Sequence, residues 1–257
     1  MNGRAARWLW MTGLMVGHFG CARPQMPTQD QLARGCIFLL PGVEKGAWQF
    51  IETKKGLHDA KVDMAVDIIE WGDSLDILGN LTNLSRNREK AQRIARRIAD
   101  YHQQYSDAPA ILLGFSAGGG MALFVAEALP NDLVLDRIII AGAAISPNYD
   151  LTSAIAHSRR PVVNFYSRAD WFMLDWGTRV FGTMDRAHTE SAGVAGFLDD
   201  RGNLLSDPRL VQIPWTPDQW RVGHRGDHTG WLARGWARVM LAPEIEGSLR
   251  PIQLPAP

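Results

Sequence analysis

Gly114-Phe115-Ser116-Ala117-Gly118 follows the apolar run Ala110-Ile111-Leu112-Leu113 and leads into Gly119-Gly120-Met121-Ala122-Leu123-Phe124-Val125-Ala126-Glu127-Ala128-Leu129. The order reads as buried strand, sharp turn, helix. A turn that tight forces its central serine into a strained backbone conformation. Neighbours carrying a Cβ would clash there, so glycines flank it. The strain is expected to lift the Ser116 hydroxyl above the sheet edge. The helix that follows aims its free N–H groups and positive dipole end at the same point. A silent glycine-rich crossover would share the G-x-S-x-G pattern, so the strand before it and the helix after it carry the reading.

Working outward, the strands and helices alternate. Cys36-Ile37-Phe38-Leu39-Leu40 is a continuous apolar run, as expected of a parallel strand buried on both faces. It ends in Pro41-Gly42-Val43-Glu44. Trp48 to His58 suits a helix, and Val62 to Trp71 the next strand. Gly72 to Asn83 reads as a polar loop. Arg86 to Tyr105 places Ala91, Ile94, Ala95, Ile98, Tyr101 and Tyr105 at helical spacing. Strands then follow at Arg137 to Ala144, Pro161 to Tyr166 and Leu210 to Trp215, with a final helix through Ala233 to Leu241. This alternation is the α/β signature. No internal repeat and no low-complexity tract interrupts it.

Composition bounds the function. The chain has 257 residues, 46% hydrophobic and 21% charged, which suits one enzyme-sized domain with a sizeable core. Lys plus Arg equals Asp plus Glu at 27 each, so no electrostatic case exists for nucleic acid. Arg86, Arg88, Arg93, Arg96 and Arg97 crowd one helix. A solvated face is the simpler reading, and an anionic membrane surface the sharper one. The ten Trp serve either core packing or the walls of an apolar pocket. Two cysteines, Cys21 and Cys36, make neither a disulfide framework nor a zinc spacing. A Cys21–Cys36 bridge is open, and nothing favours it.

Residues 1–20 read as an export signal or membrane-anchor segment. Arg4 and Arg7 precede a mostly apolar stretch, Trp8 to Phe19, too short to span a bilayer. Gly20-Cys21 resembles the end of a bacterial lipoprotein signal, while His18 and Phe19 depart from that pattern. The resemblance implies a location in the cell envelope or periplasm, with a lipid on Cys21. Simple cleavage and retention as an uncleaved anchor are the alternatives. Residues 21–35, with Pro24, Pro27 and Gly35, read as a linker, leaving 36–257 as the folded domain.

The strand–G-x-S-x-G–helix unit resembles the nucleophile elbow of the α/β-hydrolase superfamily. With little chain before Cys36, the layout is similar to the minimal members, cutinases and small bacterial lipases. The resemblance covers residues 36 to about 242 and rests on motif order. It implies about six mostly parallel strands flanked by helices. The short segment Ile145 to Arg160 leaves no room for a large lid.

The resemblance also implies a catalytic triad in the order Ser, acid, His. Ser116 is the nucleophile. Asp170 lies just past Phe165-Tyr166, where the family places the acid, with Asp150 and Asp175 as alternatives and capping of a helix at Trp171 as its plain role. The histidine follows the last strand. His228-Thr229-Gly230-Trp231-Leu232 resembles the small-lipase pattern, and His224 is the alternative. Backbone N–H groups of Val43 and Ala117 would bind the oxyanion. His224, Asp227 and His228 could imitate a metal site, but no further partner has matching spacing. No metal and no cofactor are implied.

The implied activity is cleavage of carboxylic esters, esterase- or lipase-like, on a small-molecule or lipid substrate. A catalytically silent binding protein, or an acyltransferase or peptidase using the same triad, is the alternative. The aromatics of Trp171 to Trp176 are expected to form an acyl-binding wall or to pack as ordinary helix. The membrane surface, if reached, is reached through the N-terminus. Oligomeric state is not readable.

Overall fold

A computed structural model describes residues 27–43, 46–72, 76–170 and 183–247. Residues 1–20, read above as an export signal, lie outside the described residues, as do Cys21, Asp175 and the Trp171–Trp176 aromatics.

Six strands form one sheet: β1 (Cys36–Leu40), β2 (Ala65–Ile68), β3 (Ala110–Phe115), β4 (Arg137–Ala141), β5 (Val162–Tyr166) and β6 (Leu210–Pro214). Their spatial order is β2-β1-β3-β4-β5-β6. Every neighbouring pair is parallel. Strands β1, β3, β4 and β5 are buried at every position, which is why they read as mostly apolar runs, with Arg137 of β4 and Asn164 of β5 as the buried polar exceptions.

The two faces of the sheet carry separate cores. On one, Phe38, Leu40, Leu112 and Ile140 pack under α4 (Leu84–Gln104) and α5 (Ala117–Ala128). On the other, Ile37, Leu39, Ile111 and Phe165 pack under α2 (Ile51–Asp59) and the C-terminal helical stretch. That stretch runs from Arg234–Trp236 through a π segment, Ala237–Leu241, into Ala242–Glu246. Among the described residues no helix is long and apolar enough to cross a membrane.

Strand order reverses direction between β1 and β3. Crevices open at such switch points, at the carboxyl ends of the strands. The register pairs Leu40 with Gly114, so the loop after β1 and the turn after β3 leave the sheet side by side.

Several stretches differ from their sequence reading: of Val62 to Trp71, only Ala65–Ile68 is strand. The 21–35 linker contains a helix, α1 (Gln29–Arg34), because Thr28 and Gln31 form a reciprocal capping box. Leu32 of α1 packs on the core, and its carbonyl accepts from the Tyr101 hydroxyl at 2.8 Å. The 72–83 loop contains α3 (Ile77–Thr82), started by the Asp76 carboxylate accepting from the Gly79 N–H. Strand β4 stops at Ala141 rather than Ala144, since Gly142 takes φ 55°. The final helix begins at Arg234, after a 3₁₀ turn over His228–Leu232.

The arginines of α4 are largely paired. Arg86 meets Asp76, Arg88 meets Glu127 and Arg97 meets Asp67. Acids from neighbouring elements thereby neutralise much of the basic face. Cys36 is a buried free thiol in β1, and burial pushes its pKa up to about 12.

Candidate active site

Ser116 sits between β3 and α5 with φ 57° and ψ −125°. Such a conformation costs a non-glycine residue about 1–3 kcal/mol and persists only where its surroundings enforce it. Here they do. The Ser116 N–H donates to the Ala141 carbonyl at 3.0 Å, and the Ser116 carbonyl accepts from Gly119 and Ala144. The flanking glycines are required by close approach. A Cβ on Gly114 would lie 2.3 Å from the Gly118 carbonyl oxygen, and one on Gly118 would lie 2.1 Å from that of Leu40.

Two loops bring the other side chains to this turn. Asp170 follows β5 and is 2% exposed. Its turn closes through Asp170 N–H to the Ser167 carbonyl. The buried Ser167 hydroxyl donates to the Gly226 carbonyl at 2.8 Å, which ties the acid's turn to the histidine loop. Gly226, at φ 89°, has room for no Cβ, since one would meet Ala169 at 2.9 Å. Asp227 caps the His228 turn by accepting from the Gly230 N–H.

The result is a continuous chain of two hydrogen bonds. His228 Nε2 lies 2.9 Å from Ser116 Oγ. His228 Nδ1 lies 2.6 Å from Asp170 Oδ2. A carboxylate only accepts, so it assigns the Nδ1–H tautomer and leaves the Nε2 lone pair for the serine hydroxyl proton. The His228 side chain is 14% exposed and that of Asp170 1%, so the pair shields its carboxylate and keeps the imidazole reachable.

His224 is elsewhere. It is fully buried, and its Nδ1 accepts the Gly226 N–H at 3.0 Å. Its ring packs edge-on against Trp231 at 4.0 Å. Burial pushes its pKa down to about 3, so it is neutral and unavailable to Ser116. Its carbonyl accepts from the Trp215 indole, which makes it a support of the loop. Asp150 is likewise occupied: its carboxylate accepts from the N–H and hydroxyl of Thr152, the first residue of α6 (Thr152–Ala156). Among the described residues no group of three or more His, Cys, Asp or Glu side chains gathers as a metal site.

The two proposed oxyanion donors flank the serine. Ala117 is the first residue of α5, where N–H groups have no intrahelical acceptor. Val43 follows Gly42, whose Cβ, if present, would stand 3.6 Å from Ser116 Oγ. Among the described residues neither N–H has a hydrogen-bond acceptor.

Two residues of the site escaped the sequence reading. Phe115 lays its ring 4.9 Å from that of His228, fixing one face of the imidazole. Gly142 lies beside the same ring: a Cβ there would stand 3.6 Å from His228 Cε1 and only 2.8 Å from the Trp231 indole nitrogen. The glycine directly after a buried strand was the available signal for the second.

No family model matches the chain, and no curated protein matches it in sequence. Solved structures do resemble it. Lipase B of Aspergillus fumigatus aligns with a TM-score of 0.53 at 15% identity, covering 86% of this chain and 55% of the lipase. The chain therefore spans about half that lipase's length. A protein assigned to the α/β-hydrolase superfamily from Xanthomonas campestris pv. campestris gives 0.47 at 18% identity, over 84% of this chain and 100% of that one. A lipase-esterase related protein from Clostridium acetobutylicum gives 0.49 at 11% identity, over 83% and 94%. The likeness to the lipase, the all-parallel strand order and the elbow after β3 agree: this chain has the α/β-hydrolase fold.

Proposed function

We propose that the protein is a serine hydrolase that cleaves carboxylic esters through an acyl-enzyme. The observation that carries this reading is the unbroken Asp170–His228–Ser116 hydrogen-bond chain ending on a serine held at positive φ.

In the first half-reaction Ser116 Oγ attacks the ester carbonyl carbon while His228 Nε2 takes the hydroxyl proton. The carbonyl oxygen becomes an oxyanion and accepts from the Val43 and Ala117 N–H groups, which strengthen only as that charge develops. Asp170 stays ionised and stabilises the imidazolium. His228 then returns the proton to the departing alcohol. In the second half His228 activates water against the acyl-enzyme, and Ser116 is released.

The β4–β5 connection is short. Among the described residues it holds only the five-residue α6 above the sheet. An open cleft suits bulky or surface-borne esters. Export through residues 1–20, with a lipid on Cys21, belongs to the same reading. The mass of the mature N-terminal peptide tests it.

A panel of p-nitrophenyl esters of rising chain length, run on wild type and Ser116→Ala, tests the function. Hydrolysis by the wild type that disappears in the variant is expected. Equal rates in the two would refute it.

A further inference from the structure

We infer that Trp71 and Asn80 are positioning residues that hold the oxyanion loop by the carbonyls on either side of its donor. The inference rests on the reading of the Val43 N–H as that donor.

The Val43 N–H belongs to the peptide joining Gly42 to Val43. The two peptides flanking it are both anchored. On one side, the Trp71 indole N–H donates to the Pro41 carbonyl at 2.7 Å. On the other, Asn80 Nδ2 donates to the Val43 carbonyl at 3.4 Å. Trp71 is 5% exposed and Asn80 fully buried, so both donors approach the loop from the protein interior.

The loop needs such anchors because of what it must avoid. Gly42 approaches the serine so closely that a Cβ there would lie 3.3 Å from Ser116 Cβ. Glycine relieves that contact but leaves its backbone torsions soft. A peptide between a glycine and a surface loop can rotate about the Gly42 ψ and Val43 φ bonds, swinging its N–H away from the oxyanion position. Fixing the carbonyls before and after it removes that freedom without any atom entering the substrate's space.

The anchors share one support. Lys90 Nζ, from α4, donates to Asn80 Oδ1 at 3.2 Å and lies 5.5 Å from the centre of the Trp71 ring. Asn87, one turn earlier on α4, donates to the Asn80 backbone carbonyl at 2.7 Å. Helix α4 packs beside α5, whose first residue carries the other donor, Ala117. The two donors are thus referenced to adjoining helices on one face of the sheet.

Trp71→Phe removes the indole donor and keeps an aromatic ring. Asn80→Asp removes the amide donor at nearly constant volume and still accepts from Lys90. Each should lower kcat for p-nitrophenyl butyrate by about tenfold, a fraction of the loss expected for deleting a donor outright, with KM changed less than about twofold. The affinity of an aliphatic trifluoromethyl ketone should fall by the same factor as kcat. In that adduct Ser116 Oγ bonds to the ketone carbon, its proton passes to His228, and the carbonyl oxygen becomes the anion that the loop must meet. A purely structural role would lower the melting midpoint while leaving the kcat of the folded fraction and the ketone affinity unchanged, and that result in either folded variant overturns the inference. Lys90→Met, on the shared support, gives a third reading should both buried variants fail to fold. It should lower kcat in the same direction, and an unchanged kcat there counts against the inference. A wild type without esterase activity would overturn the functional reading as well. An active wild type with unaffected variants would overturn this inference alone.

Discussion

Two imidazoles stand four residues apart in the loop after β6, and their surroundings are opposites. His224 is sealed between Trp215 and Trp231, accepts a backbone N–H, and is held neutral by burial. His228 keeps part of its ring exposed, leans on Phe115, and links a buried carboxylate to a strained serine. Sequence spacing makes the two nearly equivalent. What separates them is the partner on each nitrogen: a group whose lone pair is already taken by the backbone cannot serve as a base. One ring supports the loop, and the other is the base we propose at its tip.

The largest effects should come from the working side of this comparison. Ser116→Ala and His228→Ala should each lower kcat/KM for an ester substrate by about 10⁴-fold or more, since a triad acts as a unit. His224→Asn, which leaves an acceptor near the Gly226 N–H, should retain activity within about tenfold in its folded form. A His224 variant as dead as His228→Ala, yet folded, would reverse the assignment. Asp170→Asn should lose about 10²–10⁴-fold, because an amide can donate to Nδ1 and favour the wrong tautomer. Steady-state kinetics on the four variants would rank them.

The elbow offers a stability counterpart. Gly118→Ala puts a Cβ against the backbone of Leu40, which cannot step aside, and should destabilise the fold by about 3 kcal/mol or more in urea unfolding. Gly202, at φ 78° with open space around it, should tolerate alanine far better, losing about 1 kcal/mol from its backbone conformation alone.

The smallest effect sharpens the structural role of His224. Its native pKa of about 3 lies below the unfolded value of about 6.5. Between those values the unfolded chain binds a proton that the native ring refuses. This part of the stability is complete above pH 6.5 and falls with pH by about 1.4 kcal/mol per unit, down to about pH 3. His224→Asn should remove that slope, so its stability deficit relative to wild type narrows as the solution is acidified. Urea midpoints at neutral and acid pH would measure the difference.

The fold was legible because its signals are local. Buried parallel strands such as Ile111-Leu112-Leu113 and Ile138-Ile139-Ile140 are apolar without interruption, and the elbow compresses its geometry into five consecutive residues. Helices α1 and α3 were missed because capping side chains, Thr28 and Asp76, start them in segments whose composition is polar. At the candidate site, the family resemblance put Ser116 and Asp170 just after β3 and β5. The pairing of Asp170 with His228 depends on Ser167 reaching Gly226, a contact 59 residues apart in sequence that no local pattern carries. Trp71 and Asn80 were silent for the same reason. Each acts through one backbone carbonyl 30 or more residues away.

The central claim is that Ser116 is a live nucleophile. Fluorophosphonate labelling of the folded protein, followed by peptide mass analysis, tests it most directly. The account predicts one adduct, on the peptide containing Ser116, absent from Ser116→Ala and from His228→Ala but present in folded His224→Asn. A folded wild type that takes up no label, or takes it up at another residue, would contradict it.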